Sequence, residues 1–357
     1  MYSIIIISPE KWGINHLSKH HYAMELSRRG NRVWFVNPPA DKNGIEHVKE
    51  KNLTIISYKP VVRGKNRLPA FLSRQLHKIE IGKIIGITGK PNIVWSFDPY
   101  RFQWLQDFGA SKKIYHAVDL HPGAKREWII AQNADFVFST GDSLLRKLRK
   151  YNPSAHKIPH GLFVNEDAEK PSITLPGRNA IKSTYLGNLY AVLDFDLIVT
   201  MIQQNRDVDF IFIGPDQNSN IGEIGLEAQK LLKRRHEENV FFTGSVPSAH
   251  INAYLEKSDI LFVCYKQTQI NSHKLMSYLY AGKTILTTDI EEYRNNGLII
   301  AVGDKTGFLK KFNEIKQKLR LFNSREHLLQ RKAFALQHTY SLLVEKILDM
   351  IYPTSDF

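Results

Sequence analysis

The sequence predicts an α/β protein of two Rossmann-like halves facing across a cleft, followed by C-terminal helices. Three observations predict it. Apolar runs of strand length alternate with helix-length segments, twice over, which is the pattern of parallel strands joined by crossover helices. Glycine or a short polar turn closes many of those runs, as at Gly187-Asn188, Gly214-Pro215-Asp216 and Gly244. Between the two sets, segment 165–179 holds Pro171, Pro176, Gly177 and many polar residues, and reads as a linker.

In the first half, Ile4–Ser8 is a strand, and His16–Arg29 is a helix stopped by Gly30. Arg32–Val36, Leu53–Tyr58, Asn92–Phe97, Lys113–Val118 and Phe136–Ser139 are further strands, with helices at Trp128–Gln132 and Ser143–Lys150. In the second half, strands are expected at Lys182–Leu186, Asp209–Ile213, Val240–Thr243 and Ile260–Cys264. Helices are expected at Phe195–Asn205, Ile224–Arg235 and Ser248–Lys257, the last with Ser248 as N-cap. Amphipathic helices fill Gly307–Ile351. The expected division is an N-terminal domain over 1–164, a linker over 165–179 and a second domain over 180–335. A terminal helix over 336–357 would pack back on the first domain.

The 357-residue length allows two cores, and 43% hydrophobic with 24% charged residues is ordinary for a soluble globular chain. The single cysteine, Cys264, sits in the apolar run Ile260–Cys264. It reads as a buried small hydrophobe in a reducing compartment, with no intrachain disulfide or cysteine metal site. The start lacks a basic leader, and no apolar run is long enough to span a bilayer. The expected location is cytoplasmic, peripheral at the inner face of the cell membrane. The net charge of +14 calls for an anionic partner. Segment 59–83 concentrates Lys59, Arg63, Lys65, Arg67, Arg74, Lys78 and Lys83 among Leu68, Phe71, Leu72, Leu76 and Ile79. A helix over Pro69–Ile81 with one basic and one apolar face would suit an anionic membrane surface. The aromatic-basic interleaving of base readers is missing, which argues against nucleic acid.

The most informative stretch runs from Asn271 to Lys283. It reads as a polar loop, a short helix with Lys274 and Ser277 on one face, a stop at Gly282 and a strand over Thr284–Thr288. Leu275, Met276 and Leu279 would point into a core. The helix start offers Lys274 and free backbone N–H groups to an anion, at the carboxyl end of a sheet, where ligands of such folds bind.

These features are carried by a chain that resembles the GT-B glycosyltransferases, in particular the bacterial family 4-like and family 1-like enzymes of surface-polysaccharide assembly. The resemblance rests on Trp12-Gly13, on the helix His20–Gly30 with Asn31–Pro39 after it, and on Tyr115–Asp119, Ala134-Asp135 and Ile158–Gly161. In the second half it rests on Tyr185–Leu189, Phe212–Pro215, Asn239–Gly244 and the stretch around Lys274. It implies a nucleotide-sugar donor, UDP- or GDP-linked, held by the second domain, and a lipid-linked or glycan acceptor held by the first. Gly187 and Asn188 would lie near the diphosphate, Gly214 and Asp216 near the nucleotide, and Ser245 and Val246 near the base. Asn271, Ser272, His273, Lys274, Ser277 and Tyr278 would surround the sugar and diphosphate. Two positions where many family 4 enzymes carry glutamate hold Gln269 and Ser277.

Glycosyl transfer needs positive charge for the leaving diphosphate, a base for the acceptor when inversion is direct, and alignment of both substrates. Lys274 is the expected cation. Asp119, after its strand, is the expected base, with Asp98 as rival and His116 nearby. Trp12, Gly13, His16 and His20 are expected at the acceptor. His16 and His20 would also suit a metal pair, but no third ligand stands out, so no metal or other cofactor is expected. A catalytically silent GT-B binding subunit and a nucleic-acid-directed sugar transferase are the alternatives to a polysaccharide glycosyltransferase.

Overall fold

The computed structural model describes residues 1–121, 123–164, 171–217, 224–266, 272–294 and 296–353. The chain forms two compact units: Met1–His160 with Tyr340–Phe357, and Gly161–Thr339.

The first unit contains β1 (Ser3–Ile7), α1 (Ser18–Arg28), β2 (Arg32–Val36), β3 (Gly44–His47), β4 (Leu53–Ser57), α2 (Ala70–Thr88), β5 (Ile93–Ser96) and β6 (Lys112–Ala117). It continues through α3 (Glu127–Asn133), β7 (Phe136–Ser139), α4 (Asp142–Arg149) and β8 (His156–Lys157). The sheet is 8-stranded in the order β3-β4-β2-β1-β5-β6-β7-β8. All pairs are parallel except the β3–β4 edge. β1 is buried from Ile4 to Ile7, as a strand covered on both faces requires. The chain changes direction across the sheet between β1 and β5.

The second unit contains β9 (Ile181–Leu186), α5 (Phe195–Gln204), β10 (Val208–Ile213), α6 (Gln229–Leu232), β11 (Val240–Gly244), α7 (Ile251–Glu256), β12 (Ile260–Val263) and α8 (Lys274–Ala281). After these come β13 (Thr284–Thr288), β14 (Ile300–Val302), α9 (Lys305–Gln317), α10 (Leu319–Phe322) and α11 (Arg325–Leu336). Its 6-stranded sheet is parallel throughout, ordered β11-β10-β9-β12-β13-β14. Every residue of β10 is buried. The switch point falls between β9 and β12, so their carboxyl ends diverge there.

Helix α12 (Tyr340–Ile351) belongs to the first unit. It buries Tyr340, Leu343, Val344, Ile347 and Ile351, a stripe at helical spacing. Tyr340 stacks on His21, and Arg29 donates to Ser341.

Several elements differ from the sequence expectation. β3 is an exposed edge pair with no apolar alternation to betray it. Within 224–235 only a 3-10 turn at Leu226–Ala228 and the short α6 form. α7 is preceded by a 3-10 turn at Ser248–His250, and Ser248 caps nothing with its side chain. Residues 171–179 are tied down: the Asn179 N–H and side-chain amide donate to Asp209 at 2.9 Å. Cys264 is fully buried.

Candidate donor site at the second unit's switch point

Lys274 opens α8 and reaches the carboxyl ends of β9 and β12. Its ammonium donates to the Tyr185 hydroxyl at 2.9 Å and lies 4.3 Å from the centroid of the Tyr185 ring. The Tyr265 ring, just beyond β12, is 6.0 Å away. The Tyr185 hydroxyl in turn donates to the Asn188 carbonyl at 2.8 Å. No carboxylate among the described residues pairs with Lys274. Burial alone therefore sets its character and lowers its pKa to about 7. An ammonium held this way is poised for an incoming anion, whose charge would offset the desolvation.

Two glycines let the backbone close around it. Gly187 has φ 128°, and a Cβ there would stand 2.7 Å from the Lys274 Nζ. Gly214 has φ 139°, and a Cβ there would stand 2.4 Å from the Gly187 carbonyl oxygen. The Gly187 N–H donates to the Ile213 carbonyl and the Gly214 N–H to the Gly244 carbonyl, so the ends of β9, β10 and β11 are laced together. The structure thus gathers Gly187, Asn188, Gly214 and Lys274 at one switch point, the crevice where open α/β sheets take their ligands.

Other expected donor residues have different parts. The Tyr278 hydroxyl accepts from the Leu186 N–H at 2.7 Å and donates to the Phe262 carbonyl at 3.2 Å. It bridges β9 and β12 where their ladder has ended, so it is a buried strut. The helix start is less open than its sequence suggests: the Leu275 and Met276 N–H groups donate to the Ser272 and His273 carbonyls. What α8 offers is its lysine more than its backbone. Ser272, His273 and Ser277 are half-buried, as is Asp216, which pairs with Arg235 at 3.2 Å. After β11, Ser245 is exposed and Val246 packs on the core. Gln269 and Asn271 lie outside the described residues.

Sequence reasoning missed Tyr185, because an aromatic residue inside a strand reads as core. Its hydroxyl both positions Lys274 and holds the Asn188 turn. Tyr185→Phe keeps the ring and removes both bonds. The expected result is a UDP affinity roughly fivefold to tenfold weaker, the ~1–1.4 kcal/mol of one ordinary hydrogen bond, since the lysine itself remains. The pH at which affinity breaks should move below that of the unaltered chain. A purely structural tyrosine would leave that break in place.

In the first unit, Asp98 is not open. It pairs with Arg101 at 2.5 Å and accepts from the Tyr100 N–H at 2.7 Å. Arg101 also donates to the Ser8 and Asn37 carbonyls and the Tyr58 hydroxyl, so it joins the ends of β1, β2, β4 and β5. Asp98 is its counter-ion, and that use replaces the expected one as base. His116 is fully buried against Trp95, Phe97 and Tyr22. Burial drops its pKa to about 3, which makes it a neutral core ring. Asp119 stands exposed just past β6.

Trp12, His16 and His20 do gather, with ring centroids 5.1–5.6 Å apart, and the Gly13 backbone hydrogen-bonds His16. His20 is buried, accepts from the Leu17 N–H at 2.9 Å and meets the Lys11 carbonyl at 3.3 Å. It caps α1, so His16 and Trp12 carry what exposure the cluster has. Among the described residues no group of three or more His, Cys, Asp or Glu could hold a metal ion.

No family model matches the chain. A curated relative, TuaH of Bacillus subtilis (strain 168), is provisionally assigned as a glycosyltransferase of teichuronic acid biosynthesis. It is 31% identical over 174 residues, which cover 45% of this chain and 42% of that relative. The match thus spans less than half the relative's length. A trehalose-6-phosphate structure from E. coli bound with UDP-2-fluoro glucose superposes with TM-score 0.72 at 8% identity, over 98% of each chain. Anabaena HepE in complex with UDP and glucose superposes with TM-score 0.70 at 13% identity, over 99% of this chain and 100% of that one. With two parallel-sheet units and a likeness that runs almost end to end, this chain has the GT-B glycosyltransferase fold.

Proposed function

We propose that the protein transfers a sugar from a UDP- or GDP-sugar to a glycan or polyprenyl-diphosphate-linked acceptor in surface-polysaccharide synthesis, at the inner face of the cell membrane. One observation carries the reading: a buried lysine with no carboxylate partner among the described residues, held against a glycine turn at a sheet's switch point. The partial likeness to a relative provisionally assigned to teichuronic acid biosynthesis, the UDP-2-fluoro glucose of one solved structure and the UDP and glucose of the other support it. No helix among the described residues is long and apolar enough to cross a membrane.

In this reading the bond from the sugar's anomeric carbon to the diphosphate oxygen breaks, and Lys274 meets the charge that develops on the leaving oxygen. The acceptor oxygen forms the new bond to that carbon. For direct inversion its proton passes to Asp119, which is exposed and free to receive it.

Thermal shift with UDP and GDP, followed by donor-turnover assays over UDP-, GDP- and dTDP-sugars, tests the donor reading. Binding of neither nucleotide sinks it. Asp119→Asn is expected to lower turnover by ~10²-fold or more while leaving UDP affinity unchanged. Full activity in that variant removes Asp119 as base. Ser277, half-buried where the resemblance to family 4 enzymes leads one to expect glutamate, favours one second reading, a GT-B subunit that binds donor without turning it over. Nucleotide binding with no transfer to any lipid-linked acceptor would establish it.

A further inference from the structure

Helix α2 wears its apolar side chains outward. Its buried stripe is Ser73, His77, Glu80, Ile81, Ile84 and Thr88, where Glu80 pairs with the buried Lys65 at 2.6 Å. Around the rest of the helix Phe71, Leu72, Ile79 and Ile87 are 66%, 43%, 51% and 41% exposed. Val61 and Val62, in the loop that leads to the helix, are also exposed. Single exposed apolar residues need no explanation, but four along the exposed side of one helix and two on its approach mark a surface that something covers.

The charge on this face says what. Lys59, Arg67, Lys78 and Lys83 are all exposed, as is Arg63, which pairs with Asp41. Between residues 59 and 90 Glu80 is the only carboxylate, and it is fully buried. Lys78 and Lys83 are exposed on either side of Ile79, while Arg74 is turned aside onto Asp107 at 2.7 Å. Gly82 and Gly86 are exposed on this side as well. Short apolar anchors ringed by lysine and arginine complement an anionic interface: the anchors enter below the headgroups and the cations meet phosphate. The sequence pattern had put Leu68 and Leu76 among the anchors; both are half-buried.

We propose that the outward face of α2, with Val61 and Val62, docks on an anionic lipid bilayer. The proposal rests on the transferase reading for its purpose. α2 follows β4 and leads to β5, so its first turn lies on the carboxyl side of the first unit's sheet, the side on which Asp119 also stands. Docking would then bring a lipid-linked acceptor to the side of the sheet that carries the proposed base.

The test floats the full chain with vesicles of phosphatidylglycerol and phosphatidylethanolamine, and with phosphatidylcholine vesicles as the neutral control. Binding to the anionic vesicles is expected to be at least about tenfold stronger and to weaken with salt. Phe71→Ser with Leu72→Ser, and separately Lys78→Glu with Lys83→Glu, should each weaken it by about tenfold or more. The thermal shift with UDP should stay unchanged in both. Equal flotation on the two vesicle types, or flotation indifferent to both double variants, overturns the proposal. So does a dimer, seen by light scattering, that the Phe71/Leu72 variant disperses, since a second copy would then cover the face. A chain that binds UDP but does not float loses the docking surface alone. One that floats but binds no nucleotide keeps the surface and loses the donor reading.

Discussion

Lys274→Met is expected to weaken nucleotide-sugar binding by roughly tenfold to 150-fold, the ~1.5–3 kcal/mol of a hydrogen bond to a charged group. The same change is expected to raise the melting temperature of the unliganded protein. The opposed signs follow from one cause. The ammonium is buried beside Tyr185 with no carboxylate partner among the described residues, so it costs folding free energy that a bound anion offsets. Methionine fills nearly the same space and removes that cost. A variant that loses both stability and binding would mark Lys274 as structural. The pH dependence has a definite sign. Burial lowers the lysine's folded-state pKa to about 7 from 10.5. Between those values the unfolded chain holds more protons, so unliganded stability rises with pH through that window. A bound diphosphate favours the ammonium, so binding above about pH 7 takes up a proton. Affinity for a UDP-sugar, whose diphosphate does not titrate there, should be flat below that pH. Above it, affinity should fall by up to about tenfold per unit. Isothermal titration from pH 6 to pH 9 in two buffers measures both the decline and the proton uptake.

Gly214→Ala and Gly187→Ala should separate folding from binding at the same turn. A Cβ on Gly214 meets backbone, 2.4 Å from the Gly187 carbonyl oxygen and 2.8 Å from its carbon, at φ 139°. Neither strand end can yield without breaking the N–H bonds that lace β9, β10 and β11. The expected loss is about 3–5 kcal/mol, combining left-handed backbone strain with overpacking, read as a lower midpoint in urea. A Cβ on Gly187 also pays for a positive φ, but its nearest neighbour is the Lys274 Nζ at 2.7 Å, the far end of a flexible chain. The lysine can swing away, so the stability loss should be smaller and the loss of UDP affinity at least as large as in Lys274→Met. If Gly187→Ala binds UDP normally, the diphosphate does not sit at this turn.

Much of the candidate site's geometry was legible because its parts are backbone features. Glycines that close buried strands, followed by a lysine opening a helix, can be read from order and spacing. The parts that were misread are side chains whose roles depend on partners distant in sequence. Asp98 and Asp119 both follow strands of the first unit and look alike in sequence. Arg101 claims the first for the strand ends, and the second is exposed. His116 looks like catalytic chemistry beside Asp119, yet aromatic rings enclose it. Tyr278, one turn from Lys274, seemed placed for a sugar and instead bridges two diverging strands. Strand β3 escaped notice because an exposed edge buries no face and so imposes no alternation.

The sequence by itself determined the alternation of strands and helices, the glycine turns and the cation that opens α8, since hydrophobic period and backbone freedom are local properties. It also determined that residues 59–83 are basic and apolar together. Only the tertiary structure decided which way that segment faces. Glu80 and Lys65 neutralise each other inside, Ile81 and Ile84 take the core positions, and Phe71, Leu72, Ile79 and Ile87 are left in water. The same holds for Lys274. Its burial, its tyrosine and, among the described residues, its lack of a carboxylate arise where β9 and β12 part, 89 residues from Tyr185 along the chain, and desolvation there gives an ordinary lysine its responsiveness to an anion.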